Sequence, residues 1–87
     1  MTYDEAKKLY PTGTIILFRV GDNYESFYED AHTLVKVLEL TLTVGVEIPT
    51  VIFPHTKIEE YLYKLLRSGH KYRVAIMDQT ERTTNGR

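Results

Sequence analysis

The sequence predicts an α/β fold: a small mixed β-sheet packed with about three α-helices. Two observations carry that reading. Runs rich in β-branched and aromatic residues, without helical period, alternate along the chain with stretches whose apolar residues recur every three to four positions. Gly and Pro punctuate the boundaries between them, as turn chemistry requires.

The elements follow in order. Thr2 and Glu5 have capping-box spacing, and Ala6, Leu9 and Tyr10 precede Pro11, which predicts a short first helix. Pro11-Thr12-Gly13 is a turn, and Thr14 to Val20 reads as a buried strand. Gly21-Asp22 turns the chain into a brief extended piece from Asn23 to Glu25. Ser26 with Glu29 repeats the capping spacing, and Phe27, Ala31, Leu34, Val35 and Leu38 line one face of a central amphipathic helix. Leu40–Val44 and Thr50–Phe53 are expected as two short strands flanking Gly45 to Pro49. Thr56 and Glu59 form a third candidate capping box before the stripe Ile58, Leu62, Leu65 and Leu66, and Gly69 is expected to end that helix in a left-handed conformation. Tyr72–Met77 is the final strand. Residues 1–81 are expected to form one domain, with 82–87 as a flexible polar tail.

Composition bounds the functions. With 87 residues and 43% apolar side chains, one hydrophobic core is possible and a second is not. Cysteine is absent, so disulfides, thiolate metal sites and cysteine nucleophiles are excluded. No apolar stretch has the length of a membrane span and the start lacks signal-peptide regions, so a cytoplasmic protein without membrane contact is expected. Eleven Lys and Arg face twelve Asp and Glu, a net charge of −1, so any attraction to phosphate must be local.

The text Ile15-Ile16-Leu17-Phe18-Arg19-Val20-Gly21-Asp22, continued by Tyr24-Glu25-Ser26-Phe27-Tyr28-Glu29-Asp30-Ala31, resembles the N-terminal mismatch-recognition domain of the MutS DNA repair family. The resemblance covers about Leu9 to Glu81 and implies the same α/β architecture. It also implies a motif, Gly-Asp-Phe-Tyr-Glu, whose Phe stacks on a mispaired base in the minor groove and whose Glu hydrogen-bonds that base. Gly21, Asp22, Tyr24 and Glu25 match, and Asn23 stands where the Phe is expected.

That exchange has a direct cost. An inserted apolar side chain offsets an unstacking cost of a few kcal/mol, and a stacked ring contributes roughly 1–3 kcal/mol per base. An amide has no face to stack. Asn23 therefore reads either as a turn residue or as a minor-groove hydrogen-bonding group, and Glu25 as a solvated strand carboxylate or a base contact. Tyr24, on the opposite side of an extended segment, is expected in the core. Where the family carries a basic, glycine-containing loop, Val44 to Pro49 has no Lys or Arg and adds Glu47.

The most basic stretch runs from 57 to 73. Lys57, Lys64, Arg67 and Lys71 join Asn23 and Glu25 as candidate DNA-contacting residues, with a solvated helix face as the competing reading. His55 has no companion at ligand spacing, so no metal site is expected, and no cofactor. No phosphate loop appears, so the ATP-binding engine of the full-length family is not in this chain, and no nucleophile or acid–base constellation predicts an enzyme. Two functions remain open. One is a DNA-binding module of mismatch repair or related DNA metabolism, weakened in wedge insertion, with duplex DNA as partner. The other is a protein-interaction or scaffolding module of a longer multidomain protein.

Overall fold

The computed structural model describes residues 1–78; the sequence reading of a tail at 82–87 falls outside them. A four-stranded mixed sheet in the order β3-β2-β1-β4 carries a helix on one face and two on the other. The strands are β1 (Ile15–Val20), β2 (Asn23–Phe27), β3 (Thr50–Pro54) and β4 (Val74–Asp78). The helices are α1 (Tyr3–Leu9), α2 (Tyr28–Leu38) and α3 (Ile58–Arg67), the last entered through a single 3-10 turn at His55–Lys57.

β1 pairs antiparallel with β2 and parallel with β4, while β2 pairs antiparallel with β3. The core divides accordingly. Ile15, Leu17, Tyr24, Val51 and Phe53 pack from one face of the sheet against Ala31, Leu34 and Leu38 of α2 and Leu65 of α3. Ile16, Phe18 and Ala75 pack from the other face against Ala6 of α1. Alternation along each strand thus feeds two apolar layers from one sheet, which is why β1 is buried at four successive positions.

The first helix forms as its sequence predicts. The Thr2 hydroxyl accepts from the Glu5 N–H at 3.2 Å and the Glu5 carboxylate accepts from the Thr2 N–H at 2.8 Å, a complete capping box. The other two capping patterns do not operate. Ser26 lies within β2, fully buried, and its hydroxyl donates to the Ile16 carbonyl at 3.1 Å. The β1–β2 ladder pairs only Phe18 to Val20 of β1, and beyond it the chain peels away into α2. Ser26 and the Asp30 carboxylate, which accepts from the Ile16 N–H at 3.0 Å, stand in for the missing ladder bonds. The first N–H of α2, on Tyr28, is satisfied by the Pro49 carbonyl at 2.9 Å instead of a side chain. Thr56 sits inside the 3-10 turn, so α3 begins after Lys57 without a side-chain cap.

Three further expectations need correction. Leu40–Val44 is not a strand; a single backbone bond, Thr43 N–H to the Thr50 carbonyl at 2.7 Å, ties that stretch to the sheet. Gly69 does not close α3 in a left-handed turn: Ser68 caps it with extended backbone, and Lys71 takes the positive φ, 50°. The last strand starts at Val74 rather than Tyr72, because Tyr72 N–H turns back to the Leu65 carbonyl.

Candidate nucleic-acid interface

The hairpin joining β1 to β2 has two turn residues, with Val20 opposite Asn23. Gly21 supplies the φ of +60° at the first of them, which only a residue without Cβ adopts cheaply and which matches the twist of the strands. The tip is braced from two sides. Arg19 donates from Nε to the Gly21 carbonyl at 2.6 Å while its guanidinium lies over the Tyr24 ring, 5.5 Å from the centroid. On the other side the His55 N–H donates to the Asp22 carbonyl at 2.8 Å, fixing the tip to the end of β3.

This geometry orients the motif. Tyr24 is buried against Phe53 with ring centroids 5.6 Å apart, as expected for a core residue. Asn23 is exposed and Glu25 half-buried, and both point to the opposite side, away from α2 and α3. On that side α1 covers β1, β4 and, through Tyr3 against Phe27 at 6.4 Å between ring centroids, the far end of β2, and it leaves the hairpin end of β2 and β3 open. Directly across the β2–β3 ladder, Asn23 faces Pro54 and Glu25 faces Ile52. Ile52 is 41% exposed, whereas its neighbours Val51 and Phe53 are 0% and 2% exposed in the core. The sequence reading did not single out Ile52. Its signal was the alternation of β3, but the side it faces becomes readable only once the register with β2 is known.

The basic candidates are spread along α3 and not gathered at the tip. Lys57 follows Pro54 by three positions and so sits near Asn23. Its ammonium lies 3.6 Å from one oxygen of Glu60, and that of Lys64 lies 3.5 Å from the other, so one carboxylate partly neutralises two cations. All three are about half-exposed, where such pairs stabilise by ~1 kcal/mol or less. Arg67, near the helix end, lies over the Tyr63 ring at 5.3 Å. Lys71 lines a shallow depression with Pro11, Thr12 and Gly13, at the end of the sheet opposite Gly21 and Asp22. The structure therefore brings Asn23, Glu25 and Lys57 to one end and leaves Lys71 about 20 Å away, the length of a six-residue strand. The loop from 39 to 49 exposes Val44 and Val46 and carries no basic side chain.

Among the described residues no group of His, Asp or Glu is placed to hold a metal ion, and no helix is long and apolar enough to cross a membrane.

Residues 1–87 match the family described as MutS domain I. The chain belongs to that family. It is similar to the DNA mismatch repair protein MutS of Methanosarcina barkeri, 47% identical over 85 residues that make up 91% of this chain and 9% of that protein. The MutS of Cytophaga hutchinsonii is 49% identical over 84 residues, 91% of this chain and 10% of the relative. That of Protochlamydia amoebophila is 54% identical over 67 residues, 77% and 8% of the two chains. The chain thus spans about a tenth of the length of these relatives. Within MutS domain I, the architecture of this chain is the expected small α/β one, and Asn23 occupies the exposed first position of β2, immediately after the turn.

Proposed function

We propose that this chain is a DNA-contacting module of mismatch repair whose capacity to insert a stacking wedge is reduced. The observation that carries the reading is the presentation of Asn23 and Glu25 together, on an uncovered sheet face, at the end of a braced hairpin in a member of the MutS domain I family. Asn23 offers hydrogen bonds to minor-groove acceptors but no ring, and Lys57 offers the nearest positive charge to a phosphate. Residues 1–81 act as one unit in this reading, the protein works in the cytoplasm, and chemistry requiring ATP belongs to other parts of longer family members.

Fluorescence anisotropy with matched and mismatched duplexes at low salt tests it. Binding is expected to fall steeply as salt rises, with little mismatch preference, and Asn23→Phe is expected to create that preference. No binding at tens of micromolar protein would remove the reading.

A second reading, a protein-interaction module, is favoured by one specific feature. Tyr63 and Leu66 project from α3 with 62% and 54% exposure, and Arg67 stacks on Tyr63, a Tyr–Arg pairing of the two residue types that anchor protein interfaces beside an exposed apolar neighbour. Cross-linking that traps a protein through Tyr63, with duplex DNA failing to compete, would favour it over the first.

A further inference from the structure

Three aromatic rings meet where β2 gives way to α2. Tyr3, Phe27 and Tyr28, with Thr2, Asp4 and Ile48, line an open depression of about 260 Å³. The ring centroids of Tyr3 and Phe27 lie 6.4 Å apart with planes at 87°, and those of Tyr3 and Tyr28 lie 5.2 Å apart at 47°. Phe27 is the last residue of β2 and Asn23 the first, so this corner lies about 13 Å from the hairpin tip, at the other end of the strand.

Tyr28 is held there by a strained backbone. Its φ is +54°, which a residue with a bulky side chain adopts only when its surroundings impose it. The bond from its N–H to the Pro49 carbonyl, 2.9 Å, fixes the conformation. Burial does not offset the strain, because Tyr28 stays 43% exposed. Strain of this kind persists where a site needs the side chain in place.

The charges around the corner select the ligand. Asp4 lines it, Glu29 follows Tyr28 and Glu47 precedes Ile48. None of these three acids forms an ion pair among the described residues. The N-termini of α1 and α2 add about half a positive charge each, which three carboxylates outweigh. One ring already attracts a cation: the Lys7 ammonium lies 5.7 Å from the Tyr3 centroid, anchored by Asp30 and outside the lining of the depression. The same acids repel a phosphate, so the corner suits a cation from outside.

Shape and hydration decide which cation. Rings set nearly at right angles make a corner and not a slot, which fits a rounded head group better than a flat guanidinium. An unmodified lysine ammonium brings three N–H donors and strong hydration to walls made mainly of rings and Ile48. A fully methylated ammonium has no donor left to satisfy. We propose that Tyr3, Phe27 and Tyr28 form a binding corner for a quaternary ammonium group, free or carried on a trimethylated lysine of a partner protein. The site is separate from the DNA contact, which uses the other end of β2.

Titrations followed through the ring proton resonances of tyrosine and phenylalanine test this. The probes are choline, the uncharged alcohol in which carbon replaces the choline nitrogen, and a short peptide carrying one trimethyl-lysine. Choline is expected to shift the resonances of Tyr3, Phe27 and Tyr28 and to bind about tenfold more tightly than its isostere, which keeps the shape and loses the charge. Tyr28→Gly removes one ring and relieves the positive φ, and is expected to weaken choline about fivefold, with circular dichroism checking that the fold is retained. Asp4→Asn leaves the rings untouched and is expected to weaken choline about threefold while leaving the isostere unchanged. A peptide at least tenfold tighter than choline assigns the head group to a protein partner, and equal affinity assigns it to a free compound.

Absence of shifts with choline, or equal affinity for the isostere, overturns the proposal. So does tighter binding of the same peptide with arginine in place of trimethyl-lysine. Each of these outcomes leaves the DNA reading intact.

Discussion

Asp30 joins three elements through one carboxylate. Its oxygens accept from Lys7 of α1 at 3.0 and 3.1 Å and from the Ile16 N–H of β1 at 3.0 Å, while its backbone belongs to the first turn of α2. Lys7 also donates to the Thr14 carbonyl, so the whole cluster closes on the start of β1. Asp30→Ala leaves Lys7 without its counter-charge and a buried Ile16 N–H without an acceptor. Because Lys7 keeps 27% side-chain exposure, the expected loss is about 2–3 kcal/mol rather than the larger cost of a fully buried broken pair, measured by urea denaturation. Tyr3 senses the same carboxylate. Burial first, and then the negative charge of Asp30, push its hydroxyl well above the ordinary value of 10.0. A raised acid resists ionisation in the folded state, so its contribution is complete below that ordinary value and is lost as pH rises toward the folded one. Unfolding midpoints are expected to fall above about pH 10, and less steeply in Tyr3→Phe. None of this was legible at residue scale. In the sequence Asp30 is simply one of two adjacent helix acids, and its importance comes from a strand fourteen positions earlier that it meets only after folding.

At the scale of elements, the same Ser/Thr-x-x-Glu spacing occurs at Thr2, Ser26 and Thr56 and caps a helix only at Thr2. The spacing implied a cap in all three places and was wrong in two, because Ser26 has a better-placed acceptor in the Ile16 carbonyl and Thr56 lies within a tighter turn. Thr2→Ala is expected to cost about 1 kcal/mol, seen as a lower thermal midpoint, since it removes the acceptor for the Glu5 N–H. The Thr2 backbone N–H, together with its hydroxyl, holds the Glu5 carboxyl below the ordinary 4.5, so this capping contribution is present above that value and fades as pH drops through the lower folded one. The β1–β2 turn gives a complementary case. A Cβ at Gly21 would meet no atom within 4 Å, so Gly21→Ala tests the positive φ alone. Its cost should be about 1–2 kcal/mol, by urea denaturation, with the hairpin retained. This turn was the part of the candidate site most readable in advance, because Gly-Asp between an apolar run and the alternating Asn23-Tyr24-Glu25 specifies both the bend and the sides on which Asn23 and Tyr24 emerge.

Across the whole molecule, the α/β class and three of the four observed strands were expected, apart from shifts at their ends, and β2 only as a brief extended piece, because their residues differ in period and composition from the helices between them. The order of the strands was not, nor was the uncovered hairpin end of the sheet, since neighbours in a ladder are chosen by packing that no local pattern records. The site inherits that blindness. Residues grouped by charge in the sequence from 57 to 71 are drawn out along α3 and past its end, whereas Asn23 and Ile52, 29 positions apart in the sequence, become neighbours. If duplex DNA meets the hairpin end, Lys57→Ala should lower the salt slope of binding by about one and Lys71→Ala should leave it unchanged, a comparison made by anisotropy across a salt titration.

The parallel seam between β1 and β4 sets when this shape can come into being. Ile15 takes Val74 as its partner, and Arg19 takes Asp78, so β1, the first strand in the chain, must wait for nearly the entire described polypeptide before its far side is zipped. Hairpin and first crossover can assemble early from close neighbours; the closing seam joins distant ones and pays the loop-closure entropy last. In stopped-flow refolding, weakening that seam with Ala75→Gly should leave the folding arm almost untouched and accelerate the unfolding arm.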